Sequence, residues 1–299
     1  MSAVTSSRLS RRLRETLAGL SFAAPAAILM LATVLAPLAI LVVLSLTDYE
    51  IGAIGVRWLG IENYTRAFAD PVFRRAVSNT LLYVAVVLPG GVFLSLFVAV
   101  LVHSRGRSRG FYEVAYFLPV TATAIAMAVV WQFLLHPGLG PINGVLKLFG
   151  LSETAFLSTP ALIIPTLAAI GLWQIVGFNM VLFLAGLTAI PRDLYDAAAE
   201  DGAHGWIDRF LAVTWPQLGP TTMFVAVTTS VTAFKVFDLV AALTHGRDGS
   251  EVLLYAIYLE GFQYFKMGYA AALTVVFLLF MLVFSLTQAL RLDSKVHYA

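Results

Sequence analysis

Six long apolar segments constrain what this chain can fold into more than any other feature of its sequence. They lie at residues 20–46, 77–102, 111–135, 161–190, 217–243 and 267–290. A helix needs about 20 consecutive apolar residues to cross the hydrocarbon core of a bilayer, and each segment is that long. Helices satisfy their backbone polar groups internally, as a chain in lipid must. We therefore predict an all-α membrane protein with six transmembrane helices within residues 20–290.

The composition agrees with a membrane protein and excludes several kinds of site. Hydrophobic residues make up 60% of the 299 residues and charged residues 12%, whereas soluble domains average about 25% charged residues. The net charge of +2 gives no reason to expect a nucleic-acid partner. The sequence has no cysteine and only five scattered histidines, which excludes disulfides and thiolate chemistry and argues against a metal site. We expect no metal and no catalytic residue.

The distribution of arginine and lysine indicates the orientation of the helices, because cytoplasmic loops are enriched in both. With the N-terminus inside, eleven of the 19 lie in predicted cytoplasmic segments, seven lie in external segments, and Lys235 lies within a span. We expect cytoplasmic tails at 1–19 and 291–299. The arginines before the first apolar segment also resemble a secretory signal, but that segment is longer than the about 7–15 residues of a signal core. We favour a retained helix.

A polar stretch at residues 191–216 lies between two of the apolar segments and cannot sit in hydrocarbon. Acidic residues follow Pro191, Gly202 permits a turn, and apolar residues then recur at helical spacing up to Pro216. We predict two short amphipathic helices joined at the glycine, with Pro191 in the first turn and Pro216 ending the second helix. Such helices can lie on lipid, but lipid-surface helices are rich in Lys and Arg and this stretch is net acidic. A protein partner is favoured.

The run DAAAEDGAHGWIDRFLAVTWPQLGP, residues 196–220, resembles the EAA loop of ATP-binding-cassette (ABC) importer permeases, usually written EAAxxDGAxxxxxFxxIxLPxxxP. The run departs from the pattern in that Asp196 stands where Glu is usual and Trp215 stands before the proline where Leu is common, and Phe210, Pro216 and Pro220 each lie one position later than in the pattern. Further runs, such as FKVFDLVAALTHG, are similar to the sugar and glycerol-phosphate branch of these permeases, and the resemblance extends from about residue 23 onward. It implies the fold of a type I importer permease with a cytoplasmic coupling helix.

In that family the loop forms the coupling helix, which contacts a cytoplasmic ATPase. The resemblance implies this contact for Asp196, Ala197, Ala198, Asp201, Gly202 and Ala203. The two carboxylates suit Arg or Lys on a partner, and the small residues permit close approach. Phe210 and Pro216 are expected to hold the loop against the chain's own helices. The alternative is that the small residues only pack the helices of this chain together.

The sequence has no GxxxxGK[ST] phosphate-binding loop, so we expect this chain to bind no cofactor, with ATP and Mg²⁺ on partner subunits. The resemblance implies a second, related permease, two P-loop ATPases and an external solute-binding protein, assembled in the lipid bilayer of a bacterial inner membrane. The expected function is the import of a sugar, polyol, glycoside or glycerol phosphate by alternating access.

Polar and aromatic residues in or beside the spans are the candidates for the solute pathway, because polar groups in a membrane are expensive and sugars need hydrogen bonds and an aromatic surface. The candidates are Gln132, Trp173, Gln174, Asn179, Thr229, Phe234, Lys235 and Asp238. Lys235 and Asp238 could instead pair with each other on one helix face. Gln174 and Asn179 could instead form hydrogen bonds between helices.

Two other classes of protein stay open on the sequence alone. An ATP-independent secondary transporter or channel would explain the spans but not the acidic loop with its glycine, and no inverted repeat is evident. An intramembrane enzyme would need a catalytic group, and Lys235 with Ser230 is the one arrangement worth testing.

Overall fold

A computed structural model of the chain describes residues 18–293, so most of the predicted tails at 1–19 and 291–299 lies outside the described residues. Within 18–293 the chain is helical, with an isolated antiparallel bridge between Thr47 and Trp58 and no β-strand. The helices are α1 (Ala18–Ser45), α2 (Glu62–Ala69), α3 (Pro71–His103), α4 (Arg109–Thr121), α5 (Ala124–Leu134), α6 (Pro141–Leu148), α7 (Pro160–Ala189), α8 (Arg192–Glu200), α9 (206–217), α10 (Gly219–Phe234), α11 (Asp238–Leu243), α12 (Leu253–Tyr258) and α13 (Met267–Asp293), with short 3-10 and π turns at Arg247–Gly249 and Leu259–Gln263.

The long apolar helices coincide with the apolar segments of the sequence. Among residues 18–293, five stretches could cross a membrane by length and composition: α1, α3, α7, the α10–α11 stretch and most of α13. The bent pair α4 and α5 makes a sixth if the two helices cross as one span. The predicted all-α membrane fold is confirmed.

The predicted span at 111–135 is broken rather than continuous. Pro119 lies near the end of α4, where it supplies no backbone N–H, and Ala122 is extended with φ −83° and ψ 138°. Thr123 then caps α5, its hydroxyl oxygen accepting a hydrogen bond from Ala126 N at 3.4 Å. A capping residue directly after an extended one starts a new helix, so the prediction of a single helix here is wrong.

The predicted span at 217–243 is also interrupted. α10 ends at Phe234 with Lys235 as its C-cap, and Asp238 lies in the first turn of α11. The alternative pairing of Lys235 and Asp238 on one helix face is therefore not formed, and within residues 18–293 the two side chains form no ion pair. Each charge is instead favoured by its own helix end, because a cation is stabilised at a helix C-terminus, as for Lys235, and an anion at an N-terminus, as for Asp238.

The chain divides into two compact units, Met1–Ala67 with Glu260–Val275, and Phe68–Leu259 with Val276–Ala299. In the first unit the most apolar stretch of α1 has none of its residues buried, as suits a helix surrounded by lipid. The Asn63 side-chain amide donates hydrogen bonds to the carbonyl oxygens of Ser45 (3.0 Å) and Thr47 (2.8 Å). These bonds satisfy the carbonyl group of the last residue of α1, which has no partner within the helix, and a carbonyl group just beyond the helix.

The second unit is built around α7, which packs against α3, α4 and α10. Two glycines of α7 lie where this helix approaches α3 and α4 closely. A Cβ added to Gly171 would overlap the hydroxyl of Tyr83 in α3. A Cβ added to Gly177 would overlap the backbone carbonyl of Tyr116 in α4. Small residues let helix backbones approach closely in membranes, where packing replaces the hydrophobic driving force.

Candidate functional site

α8 ends in a turn whose geometry depends on glycine. The helix begins after Pro191, which is its N-cap (φ −60°, ψ 139°) rather than a first-turn residue as predicted. At the other end Gly202 has φ +94°, a conformation that residues with side chains rarely adopt. Ala203 N donates to Ala198 O (2.8 Å) and Gly202 N to Ala199 O (3.1 Å). These are the two hydrogen bonds of a Schellman cap, which fixes the path of the chain out of the helix.

The residues predicted to contact a partner lie together on α8 and this turn. Four are exposed, while Ala198 and Ala203 are half-buried. Within residues 18–293, neither the Asp196 nor the Asp201 carboxylate forms an ion pair or a hydrogen bond with another side chain. We call this patch the coupling surface; its members are Asp196, Ala197, Ala198, Asp201, Gly202 and Ala203.

α9 joins the coupling surface to the rest of the second unit. Phe210 packs against a buried core that α3, α7 and α10 supply. Its ring stacks on that of Trp206, with 6.0 Å between centroids, and lies 6.4 Å from that of Trp215. The Tyr195 hydroxyl of α8 lies 3.0 Å from Thr214 Oγ1 of α9, which ties the two helices together. A hydroxyl pair on two separate helices leaves no periodic pattern, so this contact could not be predicted from the sequence.

Pro216 lies inside α9 and does not end it, contrary to the prediction. The residues before it, Phe210–Thr214, form a π-helical turn in which Trp215 N donates to Phe210 O. The wider turn carries the helix past a residue that has no N–H, and α9 continues to Gln217. The same arrangement occurs in α1, where a π-helical turn precedes Pro37.

A cavity of about 300 Å³ lies between α3, α4, α7 and α10. Within the described part of the chain, no charged side chain lines it. Its polar lining consists of hydroxyl and amide groups, from Tyr83, Gln174, Asn179, Thr228, Thr229 and Thr232. Three of these, Gln174, Asn179 and Thr229, were candidates from the sequence. The others were missed, although a tyrosine hydroxyl in the middle of an apolar span is a signal that could have found Tyr83.

Asn179 connects three helices beside this cavity. Its Nδ2 donates to Thr229 Oγ1 of α10 at 2.8 Å and lies 3.4 Å from Gly91 O of α3. The side chains of Asn179 and Thr229 are both buried. Asn179 therefore forms the interhelical hydrogen bond that the sequence left open, whereas the Gln174 amide has no hydrogen-bond partner among residues 18–293.

The remaining candidates do not line the cavity. Gln132 Nε2 donates to a backbone carbonyl of α11 at 3.2 Å. Trp173 meets Trp131 edge to face, with 5.5 Å between ring centroids. Phe234 is buried against aromatic rings of α13. The two charged candidates, Lys235 and Asp238, are exposed at the break between α10 and α11.

The arrangement considered for an enzyme is not formed. Ser230 is buried, with its Oγ 2.8 Å from Val227 O and 3.0 Å from Gln288 Oε1. Lys235 is exposed and, among the described residues, makes no hydrogen bond to this serine. A serine nucleophile needs an adjacent base, and Ser230 instead makes a contact between helices.

Comparison with known proteins identifies the family. The sequence profile of the family described as "Binding-protein-dependent transport system inner membrane component" matches residues 91–296. The chain therefore belongs to this family and is the permease component of an ABC importer, a non-catalytic, multi-pass membrane subunit of a transport system that depends on a binding protein. The resemblance found in the sequence is confirmed.

Named relatives and a solved structure agree with this assignment. The sn-glycerol-3-phosphate transport system permease protein UgpA of Pectobacterium atrosepticum is 33% identical over 245 residues, covering 81% of this chain and 82% of that protein. The probable ABC transporter permease protein YesP of Bacillus subtilis is 30% identical over 297 residues, covering 97% and 95%. A chain in the crystal structure of a bacterial ABC transporter that imports the acidic polysaccharide alginate matches with a TM-score of 0.81. That match covers 96% of this chain and 99% of the other at 22% identity, which shows a shared fold.

Proposed function

We propose that this permease carries a sugar or sugar-like solute across a bacterial inner membrane by alternating access, driven by ATP hydrolysis on separate subunits. The observation that carries the proposal is the coupling surface, which is an exposed patch with two carboxylates that have no side-chain partner in the described chain. Carboxylates of this kind are suited to charge-assisted hydrogen bonds with Arg or Lys of a partner.

Each part of the loop has a distinct role in this proposal. Asp196 and Asp201 bind cationic side chains of an ATPase subunit, and the alanines and Gly202 let the two backbones approach. Phe210 and Pro216 hold the surface in place, so that closure of the ATPases on ATP moves the helices of this chain. ATP and Mg²⁺ bind to the ATPases, and this chain binds no cofactor.

The proposed assembly contains a second, related permease, two P-loop ATPases and an external solute-binding protein. A solved structure with a similar fold supports it, since that structure is of a bacterial alginate ABC transporter in complex with a periplasmic protein that holds an alginate pentasaccharide. The excess of Arg and Lys in the two tails and in the connections at residues 103–110 and 191–216, taken together, favours both termini, and the coupling surface, in the cytoplasm.

The solute pathway is proposed to pass the cavity in the second unit. Gln174 supports this pathway most directly, because its amide lines the cavity and has no hydrogen-bond partner among residues 18–293. Asn179 and Thr229 shape the cavity wall through their mutual hydrogen bond. Gln132, Trp173, Phe234, Lys235 and Asp238 stay candidates for other points of the pathway. The name of a relative, an sn-glycerol-3-phosphate permease, supports the proposal that the solute is a sugar or a sugar-like compound.

The energy source distinguishes this function from that of a secondary transporter. The full complex, with its binding protein, is reconstituted in vesicles and supplied with labelled glucose, maltose, sorbitol and sn-glycerol-3-phosphate. We expect uptake of at least one solute that requires ATP and a functional ATPase, and that a protonophore leaves nearly unchanged. Uptake that continues without ATP and collapses with the protonophore would contradict the proposal and favour a secondary transporter.

A further inference from the structure

We propose that the cavity between α3, α4, α7 and α10 is a subsite for a neutral, hydroxyl-bearing solute, with the Tyr83 hydroxyl and the Gln174 amide as its polar contacts. The inference rests on the proposed function, because it takes this chain to be a solute permease. On this inference the cavity accepts neutral sugars and polyols in preference to anionic solutes such as sn-glycerol-3-phosphate and alginate, which similar proteins transport.

Tyr83 supplies the first contact. Its side chain is 5% exposed and lines the cavity, yet within residues 18–293 its hydroxyl has no hydrogen-bond partner. Gly171 of α7 provides the room for this hydroxyl, because a Cβ at that position would overlap it. Buried polar groups are nearly always hydrogen-bonded, so a hydroxyl held in this way is suited to bond with what enters the cavity.

Gln174 supplies the second contact. It lies three residues beyond Gly171 on α7, so its side chain is on the helix face that Tyr83 contacts. Its amide carries two donors and an acceptor, and a phenolic hydroxyl both donates and accepts. Sugar and polyol hydroxyls also donate and accept, and therefore complement this pair. Neither group carries a charge that would attract an ion.

The rest of the polar lining has little capacity to bind an anion. The Asn179 amide is engaged by Thr229 and Gly91. The hydroxyls of Thr228 and Thr232 donate to carbonyl oxygens of their own helix. Since no charged side chain of the described chain lines the cavity, an anionic group would be desolvated without a cation, which is strongly unfavourable.

The size of the cavity limits the solute. About 300 Å³ is at the lower end of the about 300–1,000 Å³ of small-molecule pockets. A cavity of this size suits a polyol or one sugar ring at a time. A longer solute would therefore pass the Tyr83 and Gln174 contacts one unit after another.

The test measures uptake by the reconstituted complex with its binding protein and the four labelled solutes named above. Tyr83→Phe and Gln174→Met remove the proposed contacts while keeping side-chain size, and Tyr112→Phe makes the same tyrosine change away from the cavity. We expect ATP-dependent uptake of a neutral solute. In each cavity variant the maximal rate should fall up to about tenfold, as the loss of one to two hydrogen bonds allows. The KM for the loaded binding protein and the apparent melting temperature should stay unchanged, and Tyr112→Phe should match the wild type.

Two results would overturn the inference and leave the proposed function standing. One is ATP-dependent uptake of sn-glycerol-3-phosphate in preference to the neutral solutes. The other is uptake by both cavity variants at the rate of Tyr112→Phe. If no solute of the set shows ATP-dependent uptake, the inference and the proposed function both fail.

Discussion

Gly177→Val is expected to prevent the permease from assembling correctly. A Cβ at Gly177 of α7 would overlap the carbonyl oxygen of Tyr116 and lie 3.1 Å from the Cα of Phe117. Both atoms belong to the backbone of α4, so they cannot turn aside as the end of a side chain can. Overpacking a core costs about 1–3 kcal/mol when side chains can adjust. Here two helices must separate, and we expect a larger loss of stability.

Gly110→Val is the matched control for this prediction. Gly110 lies in α4 itself, and a Cβ there meets nothing within 4 Å. Size-exclusion chromatography and thermal melting of both variants in detergent give the comparison. We expect Gly177→Val to yield little monodisperse protein with a strongly lowered melting temperature, and Gly110→Val to behave as the wild type. Equal yields and melting temperatures would show that α4 and α7 do not approach as described.

Gly202→Asp is expected to abolish transport while leaving the permease folded. Gly202 has φ +94° with open space around it, so the substitution strains the backbone and causes no clash. Left-handed conformations cost residues with side chains about 1–2 kcal/mol, which is a factor of about tenfold in the population of the native turn. When the backbone at residue 202 leaves this conformation, the hydrogen bonds of the Schellman cap are lost. Asp201 and Ala203 then move away from the positions in which they would meet an ATPase.

The control for Gly202→Asp is Gly106→Asp. Gly106 also lies in an exposed loop on the predicted cytoplasmic side, but its φ is not positive and its surroundings are open. Gly202→Ala separates backbone strain from the added charge. Solute uptake, ATPase activity and melting temperature are measured for all three. We expect normal melting throughout, with uptake lost in Gly202→Asp, reduced in Gly202→Ala and normal in Gly106→Asp. Normal uptake in Gly202→Asp would show that the turn does not transmit force.

The transmembrane helices and the turn at Gly202 were predictable because each depends on a local pattern. A run of about 20 apolar residues has few alternatives to a spanning helix. The path of the chain at Gly202 follows from a glycine placed just after a short helix. The breaks after α4 and α10 were missed because single residues decide them, such as Thr123, which caps a new helix within an apolar run.

The cavity was predictable only in part. Gln174, Asn179 and Thr229 line it, as expected if polar groups within spans face the bundle interior. Tyr83 was missed although a tyrosine within an apolar span is a signal, whereas the room that Gly171 of another helix leaves for its hydroxyl has no signature in one sequence. Aromatic candidates such as Phe234 pack against other rings instead, since an aromatic side chain serves a core as well as a ligand.

Site-specific crosslinking from the coupling surface tests the central claim most directly. The chain has no cysteine, so Ala197→Cys introduces a single thiol at an exposed, small residue, and Ser152→Cys does the same in a loop predicted to be external. Each variant is treated, within the assembled complex, with a short thiol-to-amine crosslinker, and the products are identified by mass spectrometry. The account predicts that Ala197→Cys links this chain to a P-loop ATPase and that Ser152→Cys does not. Crosslinks from Ala197→Cys only to this chain or to lipid would contradict it.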